Sequence, residues 1–327
     1  MDAINSPHDK FFHAVFSDEE HARDLLRNAL PAKILGLLEL SSLEISRESY
    51  IDEKLAVHQS DLLIRTTYRD SPVFVYFLIE HKSYHDRWTI LQLLRYMVRI
   101  WDKELSQNKT LKKLPPIIPM IFYHGTRRWN QPVTFSSYLE LKQNLRPYMP
   151  DFQVVLLDLQ QTDDVDLKGA ELFRAAMKIA KYARSQLKPH LGDILRAVSA
   201  RPMDERHRTF LKVFLEYILQ VGRDTQSGAV EEEIEKVGNE VTREVYMTIA
   251  EQLRAEGIEI GKQEGKLEGQ ILDKQQVLTR LLEKKFSPLD DTVKAKIRSC
   301  QDRERLDEAI DLFADGETFE QIINRLD

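Results

Sequence analysis

The stretch Ser60-Asp61-Leu62-Leu63-Ile64-Arg65-Thr66-Thr67-Tyr68-Arg69-Asp70-Ser71-Pro72-Val73-Phe74-Val75-Tyr76-Phe77-Leu78-Ile79-Glu80-His81-Lys82 decides the fold. Two runs rich in β-branched and aromatic residues, 61–68 and 73–82, flank four turn-formers, a pattern that predicts a β-hairpin. Closed symmetrically about Asp70 and Ser71, such a hairpin pairs residues whose numbers sum to 141, so Asp61 faces Glu80. Opposed residues on antiparallel strands have Cβ atoms about 4.5–5.5 Å apart, close enough for two carboxylates to share one divalent cation. Lys82 lies two residues on from Glu80 and so shares its face. A one-residue slip would turn Asp61 away, which makes the register the decisive quantity.

The rest of the chain limits what this set can belong to. With 327 residues, 42% hydrophobic and 31% charged, the sequence describes a folded globular protein large enough for two domains. The longest apolar run, 73–79, is far short of the roughly 20 residues that span a bilayer, so no membrane helix is expected. The first ten residues lack a basic-then-apolar leader, and the single cysteine, Cys300, offers no disulfide framework. A cytoplasmic location is the resulting expectation. A net charge of −6 argues against a protein that coats nucleic acid nonspecifically, while leaving room for a local basic cleft.

Residues 8–30 have helical spacing, with Phe11, Phe12, Val15 and Phe16, then Ala22, Leu25, Leu26 and Ala29 as the buried set, and Pro31 as a stop. Ser17-Asp18-Glu19-Glu20 reads as a capping box in which Ser17 caps a second helix and Glu20 reaches back; Glu19 has no assigned role. Residues 35–43 read as buried and 43–50 as the strand before the hairpin, with Leu43, Ile45 and Arg47 on one face. Residues 88–105 form an amphipathic helix with Leu91, Leu94, Val98, Trp101 and Leu105 along its apolar side. Gln92, Tyr96 and Arg99 make a second stripe, able to look back at the strand ends. Strands are expected at 117–123, interrupted by Pro119, and at 152–159, with loop and short helix between. Helices follow at 172–187 and 210–221, and 222–228 reads as a linker. The domains expected are therefore a core at 1–162, a helical extension packed on it at 163–222, and a charged helical region at 229–327.

That last region carries Gly257, Gly261, Gly265 and Gly269 at intervals of four. Each glycine costs a helix about 1 kcal/mol relative to alanine, so the segment calls for a partner, and glycines four apart admit a close one. Self-association, or docking back onto the core, is the expectation; a solvated tandem repeat is the plain alternative. Beyond it, two short helices break at Gly316, with Thr318 as cap and Phe319, Ile322 and Ile323 buried.

Hydrolysis of a phosphodiester needs an attacking water, stabilised charge in the transition state and help for the leaving oxygen. Asp61 and Glu80 are hard oxygen ligands of the kind that hold Mg2+. Lys82 suits orientation of the water or stabilisation of developing charge. Gln92 can fix the water or the Lys82 ammonium, and Tyr96 can reach a phosphate oxygen. The plain alternative is that Asp61 caps a strand while Glu80 and Lys82 make an ordinary ion pair. Against it, these charges end a seven-residue apolar strand, a common setting for active sites. No zinc spacing and no phosphate-binding glycine loop occurs in the sequence.

Asp61, Glu80-His81-Lys82 and Gln92-Leu93-Leu94-Arg95-Tyr96 together resemble the PD-(D/E)XK nuclease superfamily, including the Gln-x-x-x-Tyr element of its RecB-like branch. More narrowly, His8-Asp9-Lys10-Phe11-Phe12, Ser60-Asp61-Leu62-Leu63, residues 91–101 and Tyr123-His124-Gly125 resemble the recombination-promoting nuclease family, also called putative transposases. Ser60 stands where the superfamily name has proline, a position without chemistry. The resemblance implies an α/β fold with a restriction-endonuclease-like αβββαβ core, a mixed sheet flanked by helices, followed by an all-α C-terminal region. It also implies a Mg2+-dependent DNA endonuclease acting in recombination. DNA would enter over a basic margin including Arg87, Arg95, Arg99, Lys112, Arg127 and Arg128. The other readings are a noncatalytic DNA-binding or assembly protein on a nuclease fold, and a strand-transfer enzyme.

Overall fold

The computed structural model describes residues 7–46, 62–69, 74–82, 84–140, 142–200, 204–222 and 228–326. Asp61, Arg47 and residues 70–73, which include most of the expected turn 69–72, lie outside the described residues, as do the side chains of Glu80 and His81. The chain divides into two units, 1–249 and 250–327.

Five strands make one mixed sheet in the order β1-β2-β3-β4-β5: β1 (Leu38–Ser46), β2 (Leu62–Tyr68), β3 (Phe74–Lys82), β4 (Ile117–Tyr123) and β5 (Val155–Asp158). The first three are antiparallel, and β3, β4 and β5 run parallel. β2 and β3 pair from Leu62 opposite Ile79 to Thr67 opposite Phe74, which is the expected sum of 141 at every pair. The hairpin register over these pairs is thus the one that the sequence predicts.

The helix α4 (Thr89–Gln107) makes the crossover from β3 to β4, as a parallel pair requires. It covers one face of the sheet with Ile90, Leu93, Tyr96, Met97 and Ile100, which pack into a cluster with Ile121, Tyr123, Trp129 and Phe135. This corrects the expected apolar side: Val98 is 44% exposed and Leu105 is also exposed. The helix carries two apolar stripes, and the one that is buried lies about a third of a turn from the expected one, at 100° per residue. Leu91, Leu94 and Trp101 are left at the margin of the cluster. The turn brings Gln92 and Tyr96 to the edge of the buried face.

The other face is covered by α1 (Pro7–Phe16) and α2 (Glu19–Ala29); α7 (Glu205–Val221) packs on α1, and α5 (Glu171–Tyr182) packs on α6 (Leu191–Ser199), with the four-residue α3 (Ala32–Leu35) completing the helices up to residue 222. Phe12 and Phe16 of α1 each lie 5.5 Å, ring to ring, from Phe122 of β4, and Phe11 stacks on Tyr217 of α7 at 4.3 Å. The cap of α2 is Asp18, not Ser17: its Oδ1 accepts from the N–H groups of Glu20 and His21. Aspartate outcompetes the exposed serine one residue earlier because a charged acceptor also suits the positive end of the helix. Glu20 is exposed, and Glu19 pairs with Arg23 at 2.8 Å.

Three strand expectations need adjustment. β1 starts at Leu38, and Leu43 alone among 35–43 is buried, because this edge strand presents its other residues to solvent. β4 runs through Pro119 unbroken, since β5 first pairs at Met120 and leaves the position of the missing N–H open on that side. β5 is shorter than expected, Val155–Asp158.

Further along the chain, α8 (Ala229–Val237) precedes the long α9 (Glu240–Phe286). Asn239 and Thr242 hydrogen-bond Ser199 at the end of α6, both at 2.9 Å. In the second unit the end of α9 packs with α10 (Asp291–Ser299), α11 (Arg303–Ala314) and α12 (Phe319–Asn324) around Leu278, Leu282, Ile297, Leu306 and Ile322. Buried Gln275 donates to the carbonyls of Arg298 and Cys300. Gly316 adopts φ +84°, open to glycine but strained for other residues, and Thr318 with Gln321 forms the capping box of α12. Gly257, Gly261, Gly265 and Gly269 all lie within α9 and are exposed; a methyl group at any of them would meet nothing within 4 Å. Among the described residues no helix is long and apolar enough to cross a membrane.

Candidate functional site

The site is built where β3 ends and α4 begins. Lys82 is the last residue of β3 and only 3% exposed, an expensive place for an ammonium unless it is held by polar partners. Its Nζ donates to Gln92 Oε1 at 3.2 Å, and Asp86 Oδ2 lies 3.7 Å away. Gln92 in turn donates from Nε2 to the Tyr96 hydroxyl at 2.9 Å. Three of the five residues singled out in the sequence are therefore joined in one chain, Lys82 to Gln92 to Tyr96. Tyr96 is 5% exposed and set behind Gln92, so in this geometry it braces the amide instead of facing outward. The fixed amide presents its oxygen, and not its nitrogen, to the lysine.

The i, i+4 spacing of Gln92 and Tyr96 stacks them on one side of α4. The parallel register puts Tyr123 of β4 beside Lys82, and the His124 N–H donates to the Lys82 carbonyl at 2.9 Å. Tyr123 is buried, accepts or donates one hydrogen bond with His85 Nε2 at 2.8 Å, and stacks on that imidazole. Burial pushes the Tyr123 hydroxyl pKa up, and the nearby charge of Asp158 adds to this, so it stays a neutral phenol. Gly125 has a direct structural reason: a Cβ there would overlap the Tyr123 hydroxyl and ring. On the opposite face, His8 bonds Tyr217 through Nδ1 at 2.7 Å and also meets Arg184. The motif beginning at His8 thus ties α1 to α7.

Sequence reading passed over Asp86, treating 83–87 as a polar connection. Its Oδ1 accepts from the Trp88 N–H at 2.9 Å while Oδ2 faces Lys82, so one carboxylate fixes the loop and touches the lysine. The signal was present in Asp86-Arg87-Trp88, an aspartate bonding the backbone two residues on, just before a helix. The basic margin divides. Arg87 lies on the site loop, and Arg127 and Arg128 follow β4 at the same end. Arg95 is exposed on α4, whereas Arg99 is half-buried with a buried Nη1 that has no hydrogen-bond partner among the described residues. Lys112 is in the connection entering β4 at Ile117, the opposite end of the strand from Tyr123. That separation is about 20 Å at roughly 3.3 Å per residue.

Among the described residues no three His, Cys, Asp or Glu side chains converge as metal ligands. The sheet and the polar chain at its end define an α/β protein with a candidate site at the carboxyl end of parallel strands. The chain belongs to the family described as "Putative transposase, YhgA-like", whose profile matches residues 6–205. It is 28% identical over 283 residues to the inactive recombination-promoting nuclease-like protein RpnE of Escherichia coli K12, covering 86% of this chain and 91% of that one. It is 27% identical to the recombination-promoting nuclease RpnA of the same strain, over 77% of this chain and 85% of the relative. It is also 34% identical over 123 residues to the recombination-promoting nuclease RpnD of E. coli O157:H7, over 38% of this chain and 47% of the relative. No solved structure matches.

Proposed function

We propose that this chain is a Mg2+-dependent DNA endonuclease of the PD-(D/E)XK type, acting in recombination. The observation that carries it is the hairpin register together with the chain from Lys82 to Tyr96. The sequence reading pairs Asp61 with Glu80 one step beyond the observed pair Leu62–Ile79, and on this proposal those two carboxylates work together with Lys82. The element order α-β-β-β-α-β with a mixed sheet supports a restriction-endonuclease-like core. The names of RpnA and RpnD as recombination-promoting nucleases point the same way.

On this reading Asp61 and Glu80 hold the cation, two hard oxygen donors as magnesium prefers. Bound there, Mg2+ would supply an acidified water and neutralise charge on the phosphate. Lys82, aimed by Gln92 and Asp86, orients the attacking water and stabilises charge as it develops. Gln92 fixes the ammonium, and Tyr96 fixes Gln92. Arg87, Arg127 and Arg128 offer cations to the DNA backbone at the same end of the sheet.

A second reading is favoured by one observation: RpnE, matched over most of the chain, is named as inactive. In that case the fold binds DNA without cutting it. Supercoiled plasmid incubated with the purified full chain separates the two. Mg2+-dependent conversion to nicked circles, stopped by chelator, supports the nuclease; retention of plasmid without any nicking supports the binding protein.

A further inference from the structure

The loop between β3 and α4 displays two large aromatic side chains where the site opens. Tyr84 is 57% exposed and its ring centroid is 5.7 Å from Lys82 Nζ. Trp88 is 53% exposed, with the Arg87 guanidinium 5.4 Å from its ring centroid and the Tyr138 ring 6.2 Å away. The backbone that carries Trp88 is held in place. Asp86 accepts the Trp88 N–H with one carboxylate oxygen and faces Lys82 with the other, and its carbonyl accepts from the Thr89 hydroxyl at 2.9 Å. Trp88 stands at the N-terminal boundary of α4 but makes no side-chain cap, so helix capping does not explain it.

Exposed indole and phenol rings beside cations are the components of a surface for single-stranded nucleic acid, where rings stack on bases and cations meet phosphates. A base inside a continuous duplex has both faces covered by its neighbours and cannot use such a surface; an unpaired base can. We propose that Tyr84 and Trp88 form a stacking platform for an unpaired nucleobase next to the phosphate at Lys82. The substrate class of the site is then a strand with unstacked bases: a single strand, a frayed end or a bubble. This deepens the nuclease reading and rests on it for the placement of the phosphate.

The test is binding of the full chain, without divalent metal so that nothing is cut, to a labelled 15-nucleotide single strand and to the blunt duplex of the same sequence, followed by fluorescence anisotropy. The wild-type chain should prefer the single strand. Trp88→Ala and Tyr84→Ala should each weaken single-strand binding about 5- to 100-fold, from the usual worth of one stacked base, with duplex binding changed much less, and Trp88→Phe should keep most of the affinity. Both side chains are exposed, and far-UV circular dichroism checks that each variant is folded. Single-strand affinity unchanged in both alanine variants overturns the platform, as does a wild-type chain that binds neither probe or favours the duplex. A plasmid assay run alongside keeps the two readings apart: nicking with unaffected binding in the variants overturns the platform alone, whereas the expected binding losses without any nicking support the platform and count against catalysis.

Discussion

Lys82 and Gln92 are joined ammonium to amide oxygen at 3.2 Å, across the gap between the end of β3 and the second turn of α4. The bond ties a buried charge on the sheet to a helix that is itself held by apolar packing, so the lysine's position is set by the fold and not by solvent. Behind it the Tyr96 hydroxyl fixes the amide of Gln92.

If this chain of hydrogen bonds aims Lys82, its members act as a unit. Gln92→Leu should slow metal-dependent nicking about 10- to 100-fold, the scale of a small displacement of a reacting group. Tyr96→Phe, which removes one hydrogen bond, should cost no more than about 10-fold. The double variant should be no slower than Gln92→Leu alone. Additive losses in the double variant would show that Tyr96 does not work through Gln92.

Gly125 is held to glycine by the Tyr123 side chain. Gly125→Ala forces a methyl into the hydroxyl and ring of a buried tyrosine and should lower stability by about 1–3 kcal/mol, as overpacking does. Thermal or denaturant unfolding reads this. Shortening the tyrosine as well, with Tyr123→Ala, should give a double variant that loses less than the sum of the two single losses.

Asp164 offers a pH-dependent contribution to the helical part of the first unit. Burial pushes its carboxyl pKa up, but hydrogen bonds from Lys181 at 2.8 Å and the Tyr182 hydroxyl at 3.0 Å outweigh this and hold it below the usual value. A lowered folded pKa stabilises above the unfolded value, near about 3.9, and that stability is lost as pH falls through the folded value. Asp164→Asn should therefore cost about 1 kcal/mol at neutral pH. The difference from wild type should shrink steadily below about pH 4; a difference independent of pH down to full acid would contradict this.

How far these features could be read in advance varies with their physics. The hairpin register was legible because few residues separate the two runs in the sequence, which leaves few ways to align them, and Leu62 is found opposite Ile79. The Gly316 break and Thr318 cap were legible because both are local backbone chemistry. The buried side of α4 was not: Leu94 and Val98 make as good a stripe as Leu93 and Met97, and only packing against Tyr123 and Trp129 selects between them. The start of β1 was missed because an edge strand that buries little besides Leu43 carries a weak hydrophobic signal. Asp86 was missed because its role joins a loop backbone to a lysine on the neighbouring strand, and residue spacing alone does not report such a contact.

The central claim is that the ends of the hairpin and α4 form one catalytic centre. It is tested most directly by plasmid nicking in Mg2+ with Asp61→Ala and Lys82→Ala, each compared with wild type at matched folded concentration. The expected result is a loss of at least about 100-fold in both, with circular dichroism and unfolding midpoints showing an intact fold. Undiminished cleavage by either purified variant would contradict it.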